Sequence, residues 1–226
     1  MSSDPLAEFF SPVPIVPGWY GKIPAMGDFV SRRLPEAFVT RWDRWLAEGI
    51  AESKATLGDQ WLDAFLHAPI WNFGLKPGHI DARAWFGVMM PSVDRVGRYF
   101  PLTIAAPVRL PASANQARLV QAWLGGLASA ALASLAEGHT VDGLEAALAA
   151  LPVPELVSPA TVPSDGPWPL VGDDFTEAVS AAALDCLWQR TADLSLWWCA
   201  GGDSIRLHAG LPESHAFKFL LAAPSP

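Results

Sequence analysis

After Pro35, the residues Phe38, Val39, Trp42, Trp45, Leu46, Gly49 and Ile50 recur at helical spacing, while Arg41, Asp43, Arg44, Glu48 and Glu52 fall between them. That 3.6-residue period predicts an amphipathic helix opening at the proline, whose fixed φ suits a first helical turn. Trp61, Leu62, Phe65 and Leu66 predict a second, short helix over residues 59–67, facing the same core. From residue 71 the period changes to two. Trp71, Phe73 and Leu75 alternate with Asn72, Gly74 and Lys76, which predicts a strand with one face buried. Lys76-Pro77-Gly78-His79 reads as an exposed turn, and residues 84–90 and 102–108 as two further strands. Ser113 with Gln116 fits a capping box and opens a long helix that stops near Gly138, and Thr140 caps another ending at Pro152. Farther on, Asp174 with Glu177 opens a helix to Arg190. Residues 194–200 and 204–210 flank Gly201-Gly202-Asp203 as a hairpin, and Pro212 starts a closing helix with Phe217, Leu220 and Leu221.

Strands at residues 71, 85 and 102 joined by short connections exclude parallel neighbours, which need long crossovers. The expected fold is α+β: a mainly antiparallel central sheet with helices over its faces. Residues 1–17 carry Pro5, Pro12, Pro14 and Pro17 and form an extended lead-in; residues 18–226 form a single domain with a proline-rich loop at 152–172. Composition supports a folded chain, with 51% hydrophobic and 17% charged residues. The eleven tryptophans are expected mostly in the core, where each ring gains more by burial than as a platform for sugars or bases.

A net charge of −8 leaves no basic footprint for a phosphate backbone, so nucleic-acid binding is not expected. Cys186 and Cys199 form neither a disulfide framework nor a Cys-x-x-Cys pair, and packing is the expectation for both. The start, Met1-Ser2-Ser3-Asp4-Pro5, lacks the basic and apolar regions of a secretory signal. The longest weakly polar run, Ala122 to Ala136, falls short of the ~20 apolar residues of a membrane span. A cytoplasmic protein without a membrane span is expected. No phosphate loop, dinucleotide fingerprint, nucleophile elbow or zinc pair occurs, so no cofactor or metal is assigned. His79-Ile80-Asp81 is half of a metal site at most and reads as an exposed turn. Ser31 and Ser92 lie near Asp28 and Asp94 in sequence, a hint of hydrolase chemistry, but neither has an assigned base. Asp28 and Ser31 read better as caps of the turn into the helix that follows.

Two blocks resist any such periodicity. One runs Gly18-Trp19-Tyr20-Gly21-Lys22-Ile23-Pro24 into Gly27-Asp28-Phe29-Val30-Ser31-Arg32-Arg33; the other is Pro91-Ser92-Val93-Asp94-Arg95-Val96-Gly97-Arg98-Tyr99-Phe100-Pro101-Leu102-Thr103. Each frames carboxylates and guanidiniums, which pair by bidentate hydrogen bonds, with shape-fixing glycine and proline. Lys22, Asp28, Ser31, Arg32, Arg33, Ser92, Asp94, Arg95 and Arg98 are the candidate polar cluster. Two readings stand: an internal ion-pair network, whose disruption costs stability, or a docking face for an acidic or phosphorylated partner.

These blocks, with Trp42-Asp43-x-Trp45-Leu46 and Ala68-Pro69-x-Trp71-x-Phe73, closely resemble the TagF (ImpM) family of type VI secretion-associated proteins, from about Trp19 to Thr103. The resemblance implies a non-enzymatic, cytoplasmic, post-translational repressor of the type VI secretion system that binds the forkhead-associated scaffold protein of that apparatus. Some relatives carry a fused phosphatase domain. Here the residues after Thr103 are too few for one and lack its paired aspartate metal ligands. The resemblance assigns no catalytic residue. The alternatives are a structural or assembly subunit of the apparatus, burying a large apolar surface, and a hydrolase with an unrecognised site.

Overall fold

A computed structural model describes residues 14–156, 183, 194–199 and 205–221. Most of the lead-in, the loop beyond Leu156, the 174–190 helix apart from residue 183, Cys186 and the Gly201-Gly202-Asp203 turn lie outside the described residues. Among the described residues seven strands form one sheet: β1 (Gly18–Gly21), β2 (Val30–Arg32), β3 (Trp71–Leu75), β4 (Trp85–Met90), β5 (Leu102–Pro107), β6 (Leu194–Cys199) and β7 (Arg206–Ala209). Their order is β2-β1-β5-β4-β3-β6-β7, and every neighbouring pair is antiparallel. The helices with described bounds are α1 (Glu36–Leu57), α2 (Trp61–Leu66), α3 (Ala114–Ala133) and α4 (Val141–Ala149), with a 3-10 turn at Gly58–Gln60 and a 3-10 helix at Ser214–Leu221. The fold is α+β, as the spacing of the strands predicts.

The sheet is covered on both faces, and the two covers differ. On one side α1, α2 and the 3-10 helix Ser214–Leu221 bring Phe38, Trp42, Trp45, Trp61, Phe65 and Phe217 onto Trp71, Phe73, Trp85 and Trp197. On the other side α3 and α4 bring mainly leucine and alanine onto Trp19, Phe86, Val88, Leu102 and Ile104. The tryptophan-rich face works because each ring nitrogen finds an acceptor. Trp42 donates to Thr103 Oγ1 at 2.9 Å, Trp45 to the Pro212 carbonyl at 2.7 Å, Trp61 to Ser53 Oγ at 2.9 Å and Trp71 to the Leu220 carbonyl at 2.8 Å. A buried indole N–H without such a partner would cancel much of the gain from its area.

Double coverage overturns one expectation. Trp71 through Lys76 are all buried, although the alternation with Asn72, Gly74 and Lys76 predicts an exposed face. Interior position explains it: β3 lies between β4 and β6 in a sheet with an apolar layer on each face, so its polar side chains are enclosed with the apolar ones. His79 is a second correction, buried at 2% exposure where the turn reading leaves it in water. A third is β2, a strand of three residues within a stretch that reads as a turn into a helix.

The predicted caps of α3 and α4 form. Ser113 Oγ accepts from the Gln116 N–H at 3.2 Å and Thr140 Oγ1 from that of Gly143 at 3.0 Å. The α3 helix ends at Ala133, five residues before the predicted Gly138, in a short run of turns. At the start of α1, Pro35 occupies the cap position itself and no side chain caps the helix. Asp28 and Ser31 are therefore not its caps. Asp28 Oδ1 accepts from the Phe29 N–H at 2.8 Å, and Ser31 is paired with Tyr20 in the sheet.

Candidate functional site

Both non-periodic blocks lie at one end of the sheet because β1 pairs with β5, setting Tyr20 opposite Thr103. The first block turns immediately after β1, where the Met26 N–H bonds the Ile23 carbonyl at 3.0 Å with Pro24 second in the turn. Gly21 is required at the corner. Its φ is 134°, and a Cβ there would lie 2.1 Å from the Pro101 carbonyl oxygen. The second block folds on itself just before β5. Asp94 N–H bonds the Arg98 carbonyl at 3.1 Å, Gly97 N–H bonds the Asp94 carbonyl at 3.0 Å, and Gly97 adopts φ 84° to close the hairpin. The Arg95 N–H then bonds the Met26 carbonyl at 2.8 Å, tying the two turns together.

Asp94 is the centre of this junction. Its carboxylate is buried and accepts from Lys22 Nζ at 2.9 Å, Arg98 Nε at 2.7 Å, and the N–H groups of Val96 at 3.0 Å and Arg98 at 2.8 Å. Burial pushes its carboxyl upward, but the Arg98 N–H, the Lys22 ammonium, the Arg98 guanidinium and the Val96 N–H outweigh it and hold the group well below the usual carboxylate range. Four donors leave the carboxylate no role as a general base. Ser92 is buried and its hydroxyl has no hydrogen-bond partner among the described residues, so none of them stands beside it as an activating base.

Over this buried base lies an exposed rim. Arg98 Nη2 donates to the Gly27 carbonyl at 2.5 Å and stands 3.8 Å from Asp28 Oδ1. The Arg95 guanidinium also lies beside Gly27, where a Cβ would be 3.4 Å from its Nη2. Phe29 stacks on Tyr20 with centroids 5.8 Å apart, meets the edge of Phe100 at 4.8 Å, and has Lys22 Nζ 4.8 Å from its own centroid. Tyr20 in turn donates to Asp43 on α1, and burial together with that carboxylate raises its phenol well above the ordinary value. Aromatic and ionic contacts thus fix one shape.

Arg32 and Arg33 do not belong to this junction. Arg33 adopts φ 61°, uncommon for a residue with a side chain. It donates Nε to the Pro17 carbonyl at 3.0 Å and both terminal nitrogens to Glu145 on α4, at 2.5 and 3.1 Å. Trp19 Nε1 donates to the same carboxylate at 2.5 Å. Burial pushes the Glu145 carboxyl up, but Arg33 and Trp19, with the charge of Arg32 nearby, hold it below its ordinary value. Arg32 therefore sits on the α4 side and Ser31 on the exposed edge strand. Glu145 has no place among the sequence candidates. Its one signal is that it is the lone acid in the run Gly143-Leu144-Glu145-Ala146-Ala147-Leu148.

Elsewhere, Asp81 is committed to Arg83 and the Trp85 indole, so with His79 buried the His79-Ile80-Asp81 segment is no exposed half-site. Among the described residues no group of three or more His, Cys, Asp or Glu could hold a metal ion, and no helix is long and apolar enough to cross a membrane.

Residues 18–151 match the family model for the TagF N-terminal domain, described as type VI secretion system-associated. No curated protein matches the chain. Among solved structures, the crystal structure of PA0076 from Pseudomonas aeruginosa PAO1 is 34% identical, with a TM-score of 0.73, and the match covers 93% of this chain and 96% of that one. The matched span begins at β1 and contains both non-periodic blocks, Asp94 with its four donors, and the Arg33–Glu145 pair; this chain belongs to the TagF family of type VI secretion-associated proteins.

Proposed function

We propose that this protein is a non-enzymatic, cytoplasmic repressor of the type VI secretion system that acts after translation by binding the forkhead-associated scaffold protein of the apparatus. One observation carries the reading: the two blocks join as a single rigid junction whose buried acid is saturated and whose outer guanidiniums face solvent. A site built for turnover needs a base with a free lone pair beside a nucleophile. A docking site needs fixed shape and exposed directional donors, and Arg95 and Arg98 supply those.

Two measurements test it. In cells, deleting the protein is expected to raise effector release through the type VI apparatus, and overproducing it to lower release with transcript levels unchanged. From lysates, the protein is expected to co-purify with the forkhead-associated scaffold. Unchanged release in both strains, or a purified chain that turns over a substrate, contradicts the proposal.

A further inference from the structure

We infer that the Arg95–Gly27–Arg98 rim is a receptor for a single carboxylate, an Asp or Glu side chain flanked by an apolar residue on the partner protein. The inference rests on the scaffold-binding reading and names the chemistry of that contact. Charge balance at the junction is its basis. Lys22 and Arg98 share Asp94, and Asp28 lies 3.8 Å from Arg98, so two acids offset two of the three bases. The charge left over is that of Arg95, whose exposed guanidinium has no hydrogen-bonded or ion-paired partner seen among the described residues. One negative charge neutralises it. A phosphate ester brings about −1.5 to −2, and the surplus would face Asp28, whose side chain is 81% exposed.

Geometry favours the same ligand. The Arg95 backbone is anchored by its N–H on the Met26 carbonyl, and its exposed guanidinium lies beside Gly27 with its planar fork open to a bidentate contact. Phe29, 43% exposed, and Val96, 65% exposed, flank the rim with apolar surface. Arg98 supplies a second guanidinium whose outer nitrogen is steadied by the Gly27 carbonyl. Such a rim fits an acidic residue with an aliphatic or aromatic neighbour on a protein segment.

The test uses the full chain with the purified scaffold. Affinity is measured for the unaltered protein, Arg95→Gln and Arg95→Lys, and for scaffold treated with phosphatase. The Arg95→Lys protein is also coupled to the scaffold with a carbodiimide, which joins an amine to a carboxylate in contact with it. The expected results are at least tenfold weaker binding by Arg95→Gln, full binding after phosphatase, and an amide bond from position 95 to a scaffold Asp or Glu. Full affinity of Arg95→Gln, or binding abolished by phosphatase, overturns the carboxylate receptor and leaves scaffold binding intact. No binding by the unaltered chain overturns the scaffold reading itself, and this inference with it.

Discussion

The two polar centres of this molecule use similar side chains for different ends. At the sheet end, Asp94 is enclosed and holds four donors, while Arg95 and Arg98 project above it. At the α4 corner, Glu145 is partly exposed and gathers Arg33 and the Trp19 indole across 112 and 126 residues of sequence, with the exposed Arg32 nearby. Both are ion pairs by distance. Burial separates them: a carboxylate out of water must be satisfied completely, and the groups that satisfy it fix the backbone around it. A half-exposed carboxylate can lean on solvent, and its pair acts as a clasp between elements.

That contrast can be broken in order of cost. Lys22→Ala removes one of the four donors to the enclosed Asp94 together with a buried side-chain stem and is expected to give the largest loss, lowering the denaturant midpoint with little change in slope. Acid should expose the same network. The Asp94 and Glu145 carboxyls are both held below their ordinary values, so their contribution is complete above the unfolded-chain value near pH ~4 and is lost as pH falls through the lower folded value. Midpoints measured against pH should therefore decline below about pH 4. The decline should be shallower in Lys22→Ala, where Asp94 has lost part of what depresses it. An acid limb identical in the two proteins would contradict this assignment.

Glu145→Ala is expected next, at ~1–3 kcal/mol, because it strands the indole N–H of the fully buried Trp19 as well as freeing Arg33. Arg33→Ala removes only the half-exposed partner and should cost ~1 kcal/mol or less. Arg33→Gly should be more stable than Arg33→Ala, since glycine accepts φ 61° without strain. Thermal midpoints of the three variants measure the order, and an Arg33→Ala loss as large as that of Glu145→Ala would sink it.

Much of the fold was readable because long elements repeat one instruction many times. In α1, six of the seven periodic residues, all but Val39, are buried, and Ser113 and Thr140 cap the helices they predict. Short or enclosed elements carry less signal. Val30-Ser31-Arg32 has one apolar residue and pairs with β1 only at the sheet edge, so its residues read as a turn. Asn72 and His79 look solvent-facing because the sequence does not reveal that layers cover both sides of the sheet. At the site, Lys22, Asp94 and Arg98 could be singled out as charges among glycines and prolines. Their convergence depends on the β1–β5 pairing, and Arg33 departs from the group because Glu145, far along the chain, claims it.

The smallest stability change and the largest binding change should coincide at Arg95. Its exposed guanidinium contributes little to folding, so Arg95→Ala is expected to shift stability by no more than ~0.5 kcal/mol. Scaffold affinity measured by calorimetry, with the thermal midpoint of the same sample, separates a docking guanidinium from a structural one. Arg95→Ala is expected to keep its midpoint and to bind at least tenfold more weakly; unchanged affinity, or affinity lost only together with the fold, would rule out Arg95 as a docking group.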